Sequence, residues 1–316
     1  MRILVTGGRG YLGTHLVPRL VGNGHDVTIV DSLRRSLDVE LPASVEFYQI
    51  DIRDASAMAE CFAARPVDAV VHLAAMTFPG ESIEQPDECR SINLEGTRTL
   101  LEAMHTAGVR HLVFASSCAV YGSPENYPVD ENSPGNPESP YAETKLAAEA
   151  EIAVSGKSTP DFGAVNLRFF NIAGGNSGAS IERFSAATRL IPAAVRAARD
   201  PGSSILIRGT DWPTPDGTPV RDYVHIEDAC RGVELALTVV SPGQVQTVNI
   251  GSGIGTSLRE VLLAVEGAVG QTISTKVGPR GEGEAAAIVA DISRAREVLG
   301  WQPNKLWSEE LIQQTS

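Results

Sequence analysis

The sequence predicts an α/β fold in which a doubly wound parallel sheet is followed by a smaller C-terminal α/β unit. Three observations predict it. Short β-branched apolar runs alternate with helical patterns through the first 171 residues, and near-continuous apolar strands separated by helices belong to a sheet covered on both faces. A glycine-rich turn, "TGGRGYLG", joins the first apolar run to the first helical pattern. After Asn171 the rhythm breaks into "NIAGGNSGAS" and the turn-rich "TDWPTPDGTPVRD", so a second unit with shorter elements is expected there.

Taken in order, "RILVTGG" (2–8) reads as the first strand. Residues 11–22 read as a helix, with Leu12, Leu16 and Leu20 on one face and Gly22 and Gly24 closing it. "DVTIVD" (26–31), "VEFYQIDI" (45–52), "DAVVHLAA" (68–75), "HLVFASS" (111–117) and "GAVNLRFF" (163–170) continue the strand series. Helical patterns run over 86–108 and 141–156. Beyond the break come a helix at 189–199, a strand "SILIRG", a helix at 227–239 and a strand "TVNIG" (247–251), the last two returning to the main sheet. Ser257 and Glu260 form a capping box for a helix starting at 258, and "DISRAREVLGW" reads as a short final helix.

Composition narrows the classes of partner. The chain has 316 residues, 42% of them hydrophobic and 21% charged, with a formal net charge of −13. Such an acidic chain is poorly suited to nucleic acid or an anionic membrane surface. Cys61, Cys89, Cys118 and Cys230 show no metal-type spacing and read as reduced, mostly buried thiols of a cytoplasmic protein. No histidine–carboxylate spacing suggests a metal site. The N-terminus enters a strand pattern directly, and no apolar run approaches the length of a membrane span.

The glycine turn carries the first chemistry. Gly7, Gly10 and Gly13 lie between a strand and a helix. There a turn without side chains lets a pyrophosphate approach the backbone at a helix N-terminus. Asp31 ends the second strand, where a carboxylate accepts from a ribose diol and repels a 2′-phosphate, which favours NAD over NADP. Arg34 and Arg35, close by, pull the other way. The second chemistry is "SPYAETK": Tyr141 and Lys145 are four residues apart on one helical face. Bringing a phenol from ~10 toward neutrality takes about 4 kcal/mol, which a lysine and a cationic nicotinamide together supply. Tyr141 would then act as a general base. Ser116 and Ser117 end the fifth strand, at the edge where ligands sit in parallel sheets, and either is a candidate for the reacting oxygen. His72 and His225 lie in apolar surroundings and read as structural.

Together "TGGRGYLG", the serine after the fifth strand and Y-x-x-x-K resemble the extended short-chain dehydrogenase/reductase family. "RGTDWPTPDGTPVRDYVHIEDA" and "VNIGSGIGTSLREV" look, within it, like UDP-glucose (UDP-galactose) 4-epimerases, and the resemblance runs from residue 1 to about 303. It implies a Rossmann-type sheet and a smaller substrate domain. Residues 1–171 with about 222–250 would bind NAD, and 172–221 with 251–316 the nucleotide sugar. It also implies C4 inversion of a UDP-hexose through a transient 4-keto sugar, and a homodimer. By motif matching, Tyr141 is the base, Lys145 its electrostatic partner and ribose ligand, and Ser117 the hydroxyl bridging to O4. Gly7, Gly10, Tyr11, Leu12, Gly13 and Asp31 match pyrophosphate and ribose contacts, Asp51 and Ile52 adenine contacts, and Leu73, Ala74 and Asn93 further cofactor contacts. Asn171 and Arg221 match residues that hold the diphosphate.

Departures from the pattern fall mostly on the sugar-nucleotide side. Thr77 stands in the place of a lysine, Arg208 in that of an aromatic residue that stacks on uracil, and Arg189 in that of an asparagine. "PRGEGE" leaves Arg280 followed by Gly281 where a phosphate-binding arginine is expected. Ile288 occupies the position beside the sugar where tyrosine or cysteine is common. Alternatives follow: a UDP-hexuronic acid 4-epimerase with Arg189 reading the carboxylate, or a UDP-N-acetylhexosamine 4-epimerase with Ile288 leaving room. A dehydratase or net oxidoreductase is a further alternative, against which Cys118 and Ala119 stand in place of Asp-Glu. A non-catalytic NAD-binding regulator is the remaining one. Arg221 could also simply pair with Asp222 or Glu227, and Asp51 could cap its own turn.

Overall fold

Seven of the apolar runs fold into one parallel sheet in the computed structural model, which describes residues 1–36, 39–175, 189–281 and 284–308. In chain order the elements are β1 (Arg2–Thr6), α1 (Tyr11–Gly22), β2 (Asp26–Asp31), β3 (Glu46–Gln49), α2 (Ala55–Ala64), β4 (Ala69–His72), α3 (Pro79–Glu84) and α4 (Pro86–Arg90). A π-helical turn (Ser91–Glu95) leads into α5 (Gly96–Ala107), then β5 (His111–Ser117), α6 (Pro140–Ser158), β6 (Gly163–Phe169) and β7 (Asn171–Ala173). Further on come α7 (Leu190–Arg199), β8 (Ile205–Arg208), β9 (Val220–His225), α8 (Ile226–Val239), β10 (Val245–Ile250), β11 (Gly255–Ser257), α9 (Leu258–Val269), β12 (Thr275–Gly278), β13 (Ala287–Ile288) and α10 (Ser293–Leu299).

The main sheet runs β10-β6-β5-β4-β1-β2-β3, with every pair parallel. Strand order reverses between β1 and β4, so the loops leaving their C-terminal ends diverge and open a crevice, the Rossmann arrangement. Alternate residues of β1 serve opposite faces. Ile3 and Val5 join Leu16, Leu20, Val233 and Leu299 on the face of α1, α8 and α10. Leu4 joins Met58, Leu100, Met104 and Ile152 on the face of α2, α5 and α6. Both faces are covered, as the near-continuous apolar runs require.

The expected helix over 86–108 is interrupted. Pro86 opens α4 at its first turn, where the missing N–H costs nothing. The π turn then rotates the chain before Gly96, whose Cβ would lie 2.6 Å from Ile52 Cδ1.

The C-terminal elements build separate small sheets. β11, β9 and β13 pair in that order with β7 joined to β9, and β8 pairs with β12. Helices α7 and α9 pack Ile191, Val195, Val261 and Val265 against Ile205 and Ile207 in a core of their own. The capping box of Ser257 and Glu260 is present at the head of α9. The four cysteines are buried free thiols. Among the described residues no helix is long and apolar enough to cross a membrane.

Candidate functional site

The glycine turn after β1 is packed too tightly for side chains on its inner wall. Gly7 has φ +70°, and a Cβ there would come within 2.6 Å of Ala74 N. A Cβ on Gly13 would meet the Gly8 backbone at 2.6 Å. Gly10, by contrast, would meet only the Gly7 carbonyl at 3.2 Å, so its outer side is open. No side chain caps α1 and no acidic residue lies in its first turn. Its N-terminal potential is therefore left to an incoming anion. These features fit a dinucleotide pyrophosphate. Leu73 and Ala74 close the cradle from β4: Leu73 N donates to Thr6 O at 3.0 Å and Ala74 N to Thr6 Oγ1 at 3.3 Å. Behind them His72 sits between Thr6 Oγ1 and Thr97 Oγ1, at 2.6 and 3.0 Å. Burial and then the Lys145 charge push it down to about 3, so it stays neutral, a structural histidine.

At the end of β2, Asp31 accepts from Arg9 N at 3.0 Å, Leu33 N at 2.9 Å and Ser36 Oγ at 3.1 Å. Leu33 has φ 60°, which turns the loop back over the carboxylate. Arg34 and Arg35 point to α3 and α4: Arg34 reaches Glu88 at 2.7 Å, and Arg35 reaches Glu81 at 2.8 Å. The sequence signal for this was faint, an acidic stretch from Glu81 to Glu88 opposite two unexplained arginines. Asp51 caps its turn by accepting from Arg53 N at 3.0 Å and pairs with the Arg53 guanidinium at 2.6 Å. That contact holds its carboxyl below the usual range. Ile52 is buried against Gly96. Asn93 spends its side chain on protein partners. Its Oδ1 accepts from Met76 N at 2.7 Å, and its Nδ2 donates to Met76 O and Thr144 Oγ1, both at 3.0 Å. It ties the β4 loop to α6, a role its motif match did not suggest.

Helix α6 begins beside this crevice because Ser139 accepts from Ala142 N and Pro140 occupies its first turn. Tyr141 and Lys145 share its inner face and both are buried. The Tyr141 phenol lies close to Ser117, the last residue of β5, whose Oγ accepts from Ala119 N at 3.2 Å. Lys145 Nζ donates to Ala115 O at 2.7 Å and lies 4.7 Å from the Phe114 ring centre. The two serines divide. Ser116 faces the other way and donates to Glu149 at 2.5 Å, in a buried pair with Arg168.

Lys145 alone does not bring the Tyr141 phenol toward neutrality; burial pushes it up to about 12, and Ser117 and the Arg189 charge offset only part of this. The reason is that Lys145 is itself desolvated, down to about 8, and spends its ammonium on a carbonyl.

Across the crevice, Arg189 caps the start of α7. It donates to Ile172 O at 3.1 Å and stacks 3.9 Å from the Tyr11 ring centre. Tyr11 donates to Gly174 O at 2.5 Å. Arg221 donates to Val220 O at 2.9 Å and Ala285 O at 2.8 Å. It does not pair with Asp222, whose carboxylate is taken by Ser252, Gly253 and Ala290. Ile288 is its neighbour in register, and Asn171 lies opposite Tyr223 in the β7–β9 register. Arg208 stands apart, exposed on the β8–β12 ribbon. Arg280 pairs with Asp211 at 2.9 Å and stacks on Trp212. Thr77 is exposed. Leu12 lies in the first turn of α1, half-buried.

Acid–base side chains this close to a pyrophosphate cradle define a class, the dinucleotide-binding proteins of the extended short-chain dehydrogenase/reductase type. The chain belongs to the NAD-dependent epimerase/dehydratase family, whose pattern matches residues 3–251. It is 38% identical over 311 residues to the UDP-glucose 4-epimerase of Lacticaseibacillus casei, covering 96% of this chain and 92% of that protein. Its fold is similar to the UDP-glucose 4-epimerase of Bifidobacterium longum in complex with NAD+ and UDP, with a TM-score of 0.91 at 32% identity, covering 100% and 97% of the two chains. It also resembles the enzyme of Stenotrophomonas maltophila with bound NAD and formylated UDP-arabinopyranose, with a TM-score of 0.89 at 34% identity, covering 100% and 96%.

Proposed function

We propose that the chain is an NAD-dependent nucleotide-sugar 4-epimerase, an isomerase that inverts C4 of a UDP-hexose. The observation that carries this reading is the approach of the buried Tyr141 phenol to Ser117 at the end of β5, one helical turn from Lys145 and beside the glycine cradle. When bound, NAD+ supplies a reversible hydride acceptor for the sugar carbon and a positive charge near the phenol. Tyr141, deprotonated there, takes the O4 proton, with Ser117 bridging to the same oxygen. Lys145 holds the ribose and keeps positive potential under the site. Closure around Tyr141 keeps water from the 4-keto sugar. A dehydratase needs a carboxylate beside the tyrosine. Here Cys118 is there, its thiol pushed up to about 12 by burial, so it is no base at neutral pH.

Asn171, Arg189, Arg208, Arg221 and Ile288 belong to the nucleotide-sugar side of this reading, and Asp51, Ile52, Leu73, Ala74 and Asn93 to the cofactor side. Residues 1–171 with about 222–250 form the cofactor domain, and 172–221 with 251–316 the substrate domain. A cytoplasmic homodimer completes it, and sedimentation velocity checks the assembly. A second substrate class, the UDP-hexuronic acids, is favoured by one observation. Arg189 brings a half-buried cation close enough to act on Tyr141, and no carboxylate among the described residues pairs with it. The deciding experiment incubates the protein with UDP-glucose, UDP-N-acetylglucosamine and UDP-glucuronate and follows C4 configuration by proton NMR. Inversion without NADH accumulation is expected, and no inversion of any of them rejects the reading.

A further inference from the structure

The loop after β2 carries two arginines within four residues of Asp31, the side chain that meets the adenosine ribose in the proposed function. Arginines in that place ordinarily accommodate a 2′-phosphate. In this structure both are engaged elsewhere. Arg34 lies 2.7 Å from Glu88 and 3.7 Å from Glu81, and Arg35 lies 2.8 Å from Glu81 while stacking 5.1 Å over the Phe78 ring. Glu88 is shared with Arg53, at 3.1 Å, which in turn holds Asp51. The loop is bent to make this possible. Leu33 at φ 60° and the two loop donors to Asp31, Leu33 N and Ser36 Oγ, fold residues 32–36 back over the carboxylate, so the guanidinium groups swing out toward α3 and α4.

Stability alone does not account for the arrangement. The Arg34 and Glu88 side chains are 36% and 37% exposed, and pairs this open contribute only about 0–1 kcal/mol. Their effect is on position and charge. With the arginines drawn away, the ribose edge presents Asp31, and the neighbouring Arg9 guanidinium is turned to Val39 O at 3.3 Å and the Phe47 ring at 5.7 Å.

We propose that Glu81 and Glu88 are specificity residues for the dinucleotide: they hold Arg34 and Arg35 away from the ribose 2′ position and thereby exclude NADP+. Discrimination then has two parts, the repelling carboxylate of Asp31 and the sequestered arginines. The inference rests on the proposed cofactor reading, and NAD+ binding by the unaltered protein tests that reading separately.

The experiment titrates cofactor-stripped protein with NAD+ and with NADP+, followed by quenching of tryptophan fluorescence and by calorimetry. Glu81→Gln/Glu88→Gln keeps side-chain shape and removes the charge that holds the arginines. NADP+ affinity should rise at least about tenfold, with NAD+ affinity changed less than about threefold. Adding Arg34→Ala/Arg35→Ala to that variant should return NADP+ affinity to its starting value. Unchanged NADP+ affinity in the glutamine variant overturns the proposal. So does a gain that survives loss of both arginines, since repulsion by the glutamates would then be the whole effect. Glu88→Gln alone alters the more exposed of the two glutamates and gives the same comparison, with a smaller expected gain, should the double variant fold poorly.

Discussion

Tyr141 and Lys145 are shifted in opposite directions by the same burial, and each shift has a measurable consequence. The phenol at about 12 is a proton donor in the resting protein, so it becomes a base only where cofactor and substrate change its surroundings. Tyr141→Phe removes that group without opening a cavity, and kcat should fall about 10³-fold, the scale of general acid–base catalysis, with NAD+ affinity nearly unchanged. Turnover above a tenth of the unaltered protein in the NMR assay would place the base elsewhere. Lys145 is held at about 8 against 10.5 for the free side chain. Below pH 8 the folded and unfolded chains both carry the proton, and the buried charge costs about 3 kcal/mol. Between about 8 and 10.5 the folded chain gives it up first, so the unfolded state binds more protons and this group's contribution to stability rises with pH. Lys145→Met should remove that contribution. The difference in urea midpoint between the cofactor-free protein and Lys145→Met from pH 7 to 10 isolates it, because the four buried cysteines, whose thiols are all pushed up, act against stability from about pH 9 equally in both chains.

Among the elements, the turn from β1 into α1 is the proposed cofactor cradle, and its packing leaves no slack. Gly13→Ala would drive a Cβ to 2.6 Å from the Gly8 backbone, an overpacking that typically costs about 1–3 kcal/mol. The expected result is a lower melting temperature and an NAD+ affinity weaker by about tenfold, since either the turn or the helix start has to move. An unchanged affinity would separate the turn from the pyrophosphate. This element was readable from residues alone, because a glycine turn between a buried strand and a helix is local. The same holds for β1, β2, β4, β5 and β6, whose burial on both faces leaves near-continuous apolar runs. It fails where partners are distant or elements are short. Glu88 meets Arg34 across 54 positions, and no spacing rule reports such a pair. Strands of two or three residues, such as β7, β11 and β13, are too short for alternation to register. The 86–108 pattern looked continuous because a π turn adds one residue per turn without disturbing composition. Residues 176–180 of the "NIAGGNSGAS" stretch lie outside the described residues.

At the scale of the whole molecule, the main sheet and the small sheets meet at β9, and Asp222 is the fastening. Its Oδ1 accepts from Ser252 N and Oγ at 2.6 and 2.7 Å, and its Oδ2 from Gly253 N at 2.9 Å and Ala290 N at 3.1 Å. Ser252 and Gly253 follow β10 of the main sheet, and Ala290 follows β13, so one carboxylate spans both sheet systems. Arg221, the preceding residue of β9, turns to the opposite side and sits beside Ile288. The same strand therefore joins the sheets with one residue and turns a half-buried cation to the opposite face with the residue before it. Neither neighbour could be separated in the sequence, where "VRDY" reads equally well as a local ion pair. Burial raises the Asp222 carboxyl above its ordinary range despite its four donors, so the carboxylate is costly to keep and is kept only by those bonds. Asp222→Asn is nearly isosteric but puts an amide NH2 against backbone N–H groups, leaving buried donors unpaired at about 1–3 kcal/mol each. We expect a loss of about 2–5 kcal/mol in urea unfolding. KM for the nucleotide sugar should rise while NAD+ affinity stays nearly constant, because the β9–β13 edge loosens and the glycine turn is untouched. A loss below about 1 kcal/mol, or a rise in NAD+ dissociation with no change in KM, would show that β9 is held by its strand pairings and that Asp222 does not couple the two sheets.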